Sequence, residues 1–401
     1  MTLPPPPDSY GSQPPQGGGQ PGGGVPPQWV SQQGGVPPQG FGGGYGPPPQ
    51  GQWGPQQQWP GGAGGQGGQP PKGGKGKWIL GGIAVVLAIA LAVVITVLVV
   101  RPADGGGGNG DPTQQNGDSE FASADDTGPV NIITEDPTCA AWLKIARAYA
   151  EKTAAVKWID RDQSVPASSW SPEQRAMYET ASTALSEAAA STVRLAQQTP
   201  HRTVRELYQQ FIVYSRAFIE KIPSYTPADG PLSDVAHSIA NALANACSAI
   251  NSNSADAVAP LIPAAEGPAT VPPPSNTDDV EPLLQGQNTV CGEWEQLGVR
   301  FSEDTAAWRA LDPKIPASQW TTEQRNINNA AASVMSANAD EMERLARDSG
   351  NPLVEDIALL AAQYRRGFAV AIPDYAATDN FLSETSVFLA KTIDWSCRAA
   401  Q

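Results

Sequence analysis

Val165-Pro-Ala-Ser-Ser-Trp-Ser-Pro-Glu-Gln-Arg175 returns 150 residues later as Ile315-Pro-Ala-Ser-Gln-Trp-Thr-Thr-Glu-Gln-Arg325. The same shift lays Tyr214, Arg216, Phe218, Ile222, Pro223 and Tyr225 on Tyr364, Arg366, Phe368, Ile372, Pro373 and Tyr375. Upstream the offset is 152, as Cys139/Cys291 and Trp142/Trp294 show, so the second copy lacks two residues between its tryptophans. The chain therefore carries one unit in tandem, residues 138–250 and 289–401.

Each unit reads as helix. Val204, Leu207, Tyr208, Phe211, Tyr214, Phe218 and Ile222 recur mostly at three- and four-residue intervals, and Val354, Ile357, Tyr364, Phe368 and Ile372 follow the same course. Ser171-Pro-Glu-Gln174 is a helix start, with an N-cap hydroxyl, a first-turn proline and a glutamine placed to close a capping box; Thr321-Thr-Glu-Gln324 repeats it. Four helices follow, at about 138–158, 172–198, 202–222 and 231–249 in the first copy. In an up-down-up-down bundle the first helix starts where the fourth ends, and both cysteines of each copy lie there. The predicted fold is all-α: two tandem four-helix bundles, each closed by a disulfide, Cys139–Cys247 and Cys291–Cys397.

The remaining segments differ in composition. Residues 1–77 are mostly Gly, Pro and Gln, with too little apolar surface to offset chain entropy, and predict a disordered tail. Trp78 to Val100 is a charge-free run of 23 residues. As a helix it would be roughly 35 Å long, enough to span the hydrocarbon core. Lys72, Lys75 and Lys77 precede it and Arg101 alone follows before Asp104, which places the tail in the cytoplasm and the repeats outside. Ala84, Ala88 and Ala92 form a small-residue stripe through which two spans would pack as a homodimer. Residues 101–137 read as a flexible linker, and 251–288, dense in proline, as a stiffer one that holds the two bundles apart.

Charge and cysteine usage agree with that topology. The formal net charge is −15, and the second repeat, with 16 acids and 9 bases between its cysteines, is the acidic one. Such a surface argues against nucleic acid as a partner. One cysteine pair per repeat in matching places suits an oxidising compartment, and the wide spacings do not suit a structural zinc site.

Chemistry is sparsely signalled. The two histidines, His201 and His237, are replaced by Asn351 and Val387 in the second copy, so neither belongs to a shared reaction; both read as surface or capping residues. No phosphate loop, HExxH or nucleophile elbow is present. The candidate ligand-binding residues are those kept in both copies: Tyr214, Arg216 and Tyr225, with Tyr364, Arg366 and Tyr375. As a pocket they would present polar points to an anionic or lipidic ligand. The pattern favours a structural role, in which Arg216 pairs with Glu173 and Arg366 with Glu323. Trp142, Trp170, Trp294 and Trp320 read as core and staple residues.

A Pro/Gly/Gln-rich tail, one Val/Ala-rich span and an Ala-rich, cysteine-bearing outer region together resemble the proline-rich single-pass membrane proteins of mycobacteria and related actinobacteria. The resemblance is one of organisation. It implies residence in the inner membrane of the cell envelope, and it supplies no catalytic residues, metal or cofactor.

The function expected is therefore non-enzymatic: membrane-anchored, extracytoplasmic binding or scaffolding of envelope proteins or of a lipid or wall component. Two alternatives stand beside it. A single-pass sensor would bind a ligand outside and cluster the cytoplasmic tails. An envelope-acting enzyme would need a carboxylate cleft such as Asp340, Glu341 and Glu343, which a solvated helix face explains better.

Overall fold

A computed structural model describes residues 120–286 and 288–401. The tail, the span at 78–100 and its alanine stripe lie outside the described residues. Among the described residues no helix is long and apolar enough to cross a membrane.

The described part is helical, with ten helices. The first repeat contains α1 (Cys139–Ala155), α2 (Pro172–Gln198), α3 (Arg202–Lys221) and α4 (Gly230–Asn251), and the one-turn α5 (Ser254–Val258) follows in the connector. The second contains α6 (Cys291–Asp304), a one-turn α7 (Ala306–Arg309), α8 (Thr322–Asp348), α9 (Pro352–Ala371) and α10 (Asn380–Ala399). Among the described residues β pairing is limited to a single antiparallel bridge, Val130 with Ala265.

Local sequence explains the boundaries. Ser171 Oγ accepts the Gln174 N–H at 3.2 Å while Ser171 N–H donates to Gln174 Oε1 at 3.1 Å, so both halves of the capping box form; Thr321 and Gln324 do the same at 3.2 and 2.9 Å. Pro223 and Pro373 cannot continue a helix, and α3 and α9 give way there to short 3-10 turns. α8 ends through Gly350, whose φ of +61° is one that side-chain-bearing residues rarely adopt.

Both disulfides form within their own repeats, Cys139–Cys247 with Cα atoms 5.2 Å apart and Cys291–Cys397 at 5.7 Å. Each ties the start of a first helix to the last turns of a fourth. The buried face of α2 is rich in alanine, with Ala181, Ala184, Ala188 and Ala189 beside the larger Tyr178, Leu185 and Leu195.

The two repeats are not held apart, which corrects the reading of 251–288 as a spacer. The most extensive helix contact in the molecule is between α4 and its own counterpart α10, and α3 likewise meets its counterpart α9. Contacts between equivalent elements are what an approximate two-fold axis produces. α4 and α10 run antiparallel: Asp234, near the start of α4, feels the charge of Arg398 at the end of α10, and the His237 ring meets Phe388 edge-on at 6.3 Å. The buried residues form one continuous core that includes both repeats. His237 lies against this seam, half-buried, and not out on the surface where the sequence suggested it.

The connecting segments are also structural. Residues 120–137 were expected to be flexible, yet Phe121, Val130, Ile132 and Ile133 are buried. Val130 and Ala265 exchange both backbone hydrogen bonds, at 2.8 and 3.0 Å. Ile132 then packs against Gly367 of α9, where a Cβ would lie only 2.7 Å from its Cδ1, and Tyr364 of α9 donates to Ile133 O at 3.4 Å. The second connector crosses the other way: on α3, Gln209 donates to Ser275 O at 2.8 Å and Gln210 to Glu281 O at 2.9 Å, while Tyr214 approaches the Leu283–Leu284 backbone. The arm preceding each repeat thus docks on the third helix of the other. Each fully buried apolar side chain of an arm contributes about 1.5–3 kcal/mol toward fixing these segments.

Candidate functional site

The six residues singled out by the duplication do not share a pocket, because their polar atoms face different partners. Tyr225 donates to Gln163 O at 2.9 Å and Tyr375 to Pro313 O at 2.6 Å, so this matched pair fastens the turn that follows the first helix in each copy. Tyr364 meets the first arm as described. Tyr214 is buried, its hydroxyl facing Ser396 and the second arm without completing a hydrogen bond by geometry.

The arginines find partners other than those expected. Arg216 is largely exposed and bonds Asp278 of the second arm at 2.6 Å, not Glu173. Arg366 bonds Asp340 and Glu343 of α8, both at 2.8 Å, not Glu323. Register is the reason: each carboxylate chosen lies within reach of the helix face the arginine occupies, and the Asp278 arm is a neighbour the periodicity could not supply. Asp340 and Glu343 are thereby spent on Arg366, and Glu341 on Arg344. Trp142 and Trp294 are buried, and Trp170 and Trp320 each donate an indole N–H to a backbone carbonyl five residues earlier.

The group that stands out chemically was missed in the sequence. Arg202, Arg205 and Glu206 on α3 and Asp356 on α9 are all buried where the two repeats meet. Arg202 reaches Asp356 with a fork, Nε to Oδ2 at 2.8 Å and Nη2 to Oδ1 at 2.9 Å. It also donates through Nη1 to Asp126 O at 2.7 Å and through Nη2 to Gly128 O at 3.2 Å, and so holds the first arm as well. Arg205 donates to Ser123 Oγ at 3.2 Å and to Glu206 Oε1 at 3.3 Å. Burial, and then the neighbouring Asp356 carboxylate, push the Glu206 carboxyl well above the usual range. No local signal marked it: Arg202, Arg205 and Glu206 sit on an amphipathic helix whose polar positions are buried only because other parts of the chain cover them.

Outside this cluster lies a concavity of about 240 Å³, lined by Arg205, Ser123, Thr127 and Asp126 on one side and by Ala124 and the Val271–Pro274 run on the other. A wider, open depression of about 390 Å³ lies between Leu283 and Asn351, but no charged side chain lines it. Among the described residues no group of His, Cys, Asp and Glu is arranged to hold a metal ion.

The profile of a family described as mycobacterial ESX-1 associated protein matches residues 121–401. The chain belongs to that family. It is also 41% identical, over 353 residues, to an uncharacterized protein of Mycolicibacterium smegmatis (strain MKD8), covering 86% of this chain and 91% of that one. The family match begins where the first arm begins, so arm and repeats together form the family's unit. No solved structure matches the chain.

Proposed function

We propose that this protein is a membrane-tethered scaffold of the mycobacterial envelope, whose outer helical body binds other envelope proteins in the setting of ESX-1 secretion. The observation that carries this reading is the mutual docking of the arms, which joins two repeats into a single body and spends the duplicated polar residues on holding it together. Such a body suits holding partners more than turning over a substrate. The span at 78–100 would anchor it, with the tail in the cytoplasm and the disulfide-bearing part outside.

The test is crosslinking and affinity capture of the full-length protein from mycobacterial membranes, beside a version lacking residues 120–401. Recovery of ESX-1 components with the intact chain alone supports the proposal. Equal recovery with both versions would place the activity in the tail or span and overturn it.

A second reading, the sensor, gains from one observation. The arm that leads back toward the proposed span enters the molecule at the seam between repeats, so a partner that shifts the seam would also shift the arm.

A further inference from the structure

Arg205 is a buried cation whose donors are only partly used. Its side chain is 4% exposed, it uses Nη1 on Ser123 and Nη2 on Glu206, and its Nε has no partner. A guanidinium offers five N–H donors, so most of its capacity is unspent. Glu206 beside it meets only one of its nitrogens, at 3.3 Å. Asp126, on the same concavity, is committed to Arg202: its Oδ2 accepts the Arg202 backbone N–H at 2.6 Å and its Oδ1 lies 3.9 Å from Arg202 Nη1. Burial above all, with the Arg202 charge beside it, disfavours the charged form of Arg205, and an anion would relieve that cost.

The concavity has two kinds of wall. Arg205, Ser123 and Thr127 supply N–H and O–H donors, whereas Ala124, Val271 and the three prolines supply hydrocarbon. We propose that it is a binding site for a short organic carboxylate, whose oxygens are held by the Arg205 guanidinium and the Ser123 hydroxyl and whose hydrocarbon lies against Val271 and Pro272–Pro274. The prolines favour an alkyl carboxylate over an inorganic anion, because phosphate would leave that wall without a partner. This site is independent of the scaffolding reading.

The experiment uses the full-length protein at constant ionic strength, titrated with acetate, butyrate and inorganic phosphate, and followed by calorimetry and thermal shift. Butyrate should bind saturably in the millimolar range, more tightly than acetate and roughly tenfold more tightly than phosphate. Arg205→Gln should weaken butyrate at least about tenfold. Because that change disturbs the seam, Thr127→Trp is the second variant: residue 127 is exposed and lines the same concavity, so a larger ring there should obstruct it. It should also abolish butyrate binding while leaving the ligand-free Tm unchanged, and Arg216→Gln should bind normally. Absence of saturable heat, phosphate binding as tightly as butyrate, or unaltered binding in Thr127→Trp would each overturn the assignment.

Discussion

Arg202 and Asp356 are 154 residues apart in the chain and meet fork to carboxylate at 2.8 and 2.9 Å, both sealed from solvent. One residue belongs to each repeat, so this pair stitches the seam. Its counterpart across the approximate two-fold would join Glu206 to residue 352, which is proline. The second position therefore holds no such stitch, and Glu206 meets Arg205 of its own helix instead.

Removing one side of that stitch strands a buried charge. Asp356→Ala should cost about 3–5 kcal/mol in urea unfolding. The double change Arg202→Met with Asp356→Leu should recover most of the loss, since no charge is left unpaired. A double variant as weak as the single one would show that the pair is not the seam's main electrostatic contact.

Gly367 admits Ile132 because it lacks a side chain. Gly367→Leu should cost about 1–3 kcal/mol by overpacking and displace the first arm. Limited proteolysis reads this directly, with new cleavage between residues 120 and 133. Combining it with Ile132→Ala should restore part of the stability.

Reducing one disulfide should affect the whole body, because the core is continuous. Cys139→Ala with Cys247→Ala closes no loop in a segment whose cysteines are 108 residues apart. The expected loss is about 2–5 kcal/mol, seen as one cooperative transition at lower denaturant. Two separate transitions would mean that the repeats unfold independently.

Burial pulls the His237 pKa from its ordinary 6.5 down to about 3, with Arg161 and Lys391 adding to the effect. The folded protein therefore binds fewer protons than the unfolded chain in that window. Stability from this residue is fully present above pH 6.5 and is lost as pH falls toward 3, by up to a few kcal/mol. His237→Phe should flatten the pH–stability curve between those limits. Parallel curves for the two proteins would refute the shift.

Much of the fold is written locally. The capping boxes at Ser171 and Thr321, the periodicity of α3 and α9, the prolines that end them and the cysteine pairing all depend on near neighbours in sequence or on the duplication. The arms were not legible in the same way, because Val130–Ile133 and Val280–Leu284 are too short to show a period and are buried only by a partner far along the chain. Their matched apolar character ahead of each repeat was the available clue. The same limit hid the partners of Arg216 and Arg366 and the cluster around Arg205: periodicity assigns a residue to a face, whereas a buried ion pair depends on which distant face comes to meet it.

The crossing arms also govern how the chain must come together. Ile132 leaves the ribosome some 235 residues before Gly367, the surface that receives it. Through that interval the first half exists with its greasy leading strand unhoused, and closure of the body waits for the last two helices. Contacts so distant along the chain are slow to form, and exposed apolar segments attract wrong partners meanwhile. The nascent protein is therefore most dependent on chaperone protection just before it is complete.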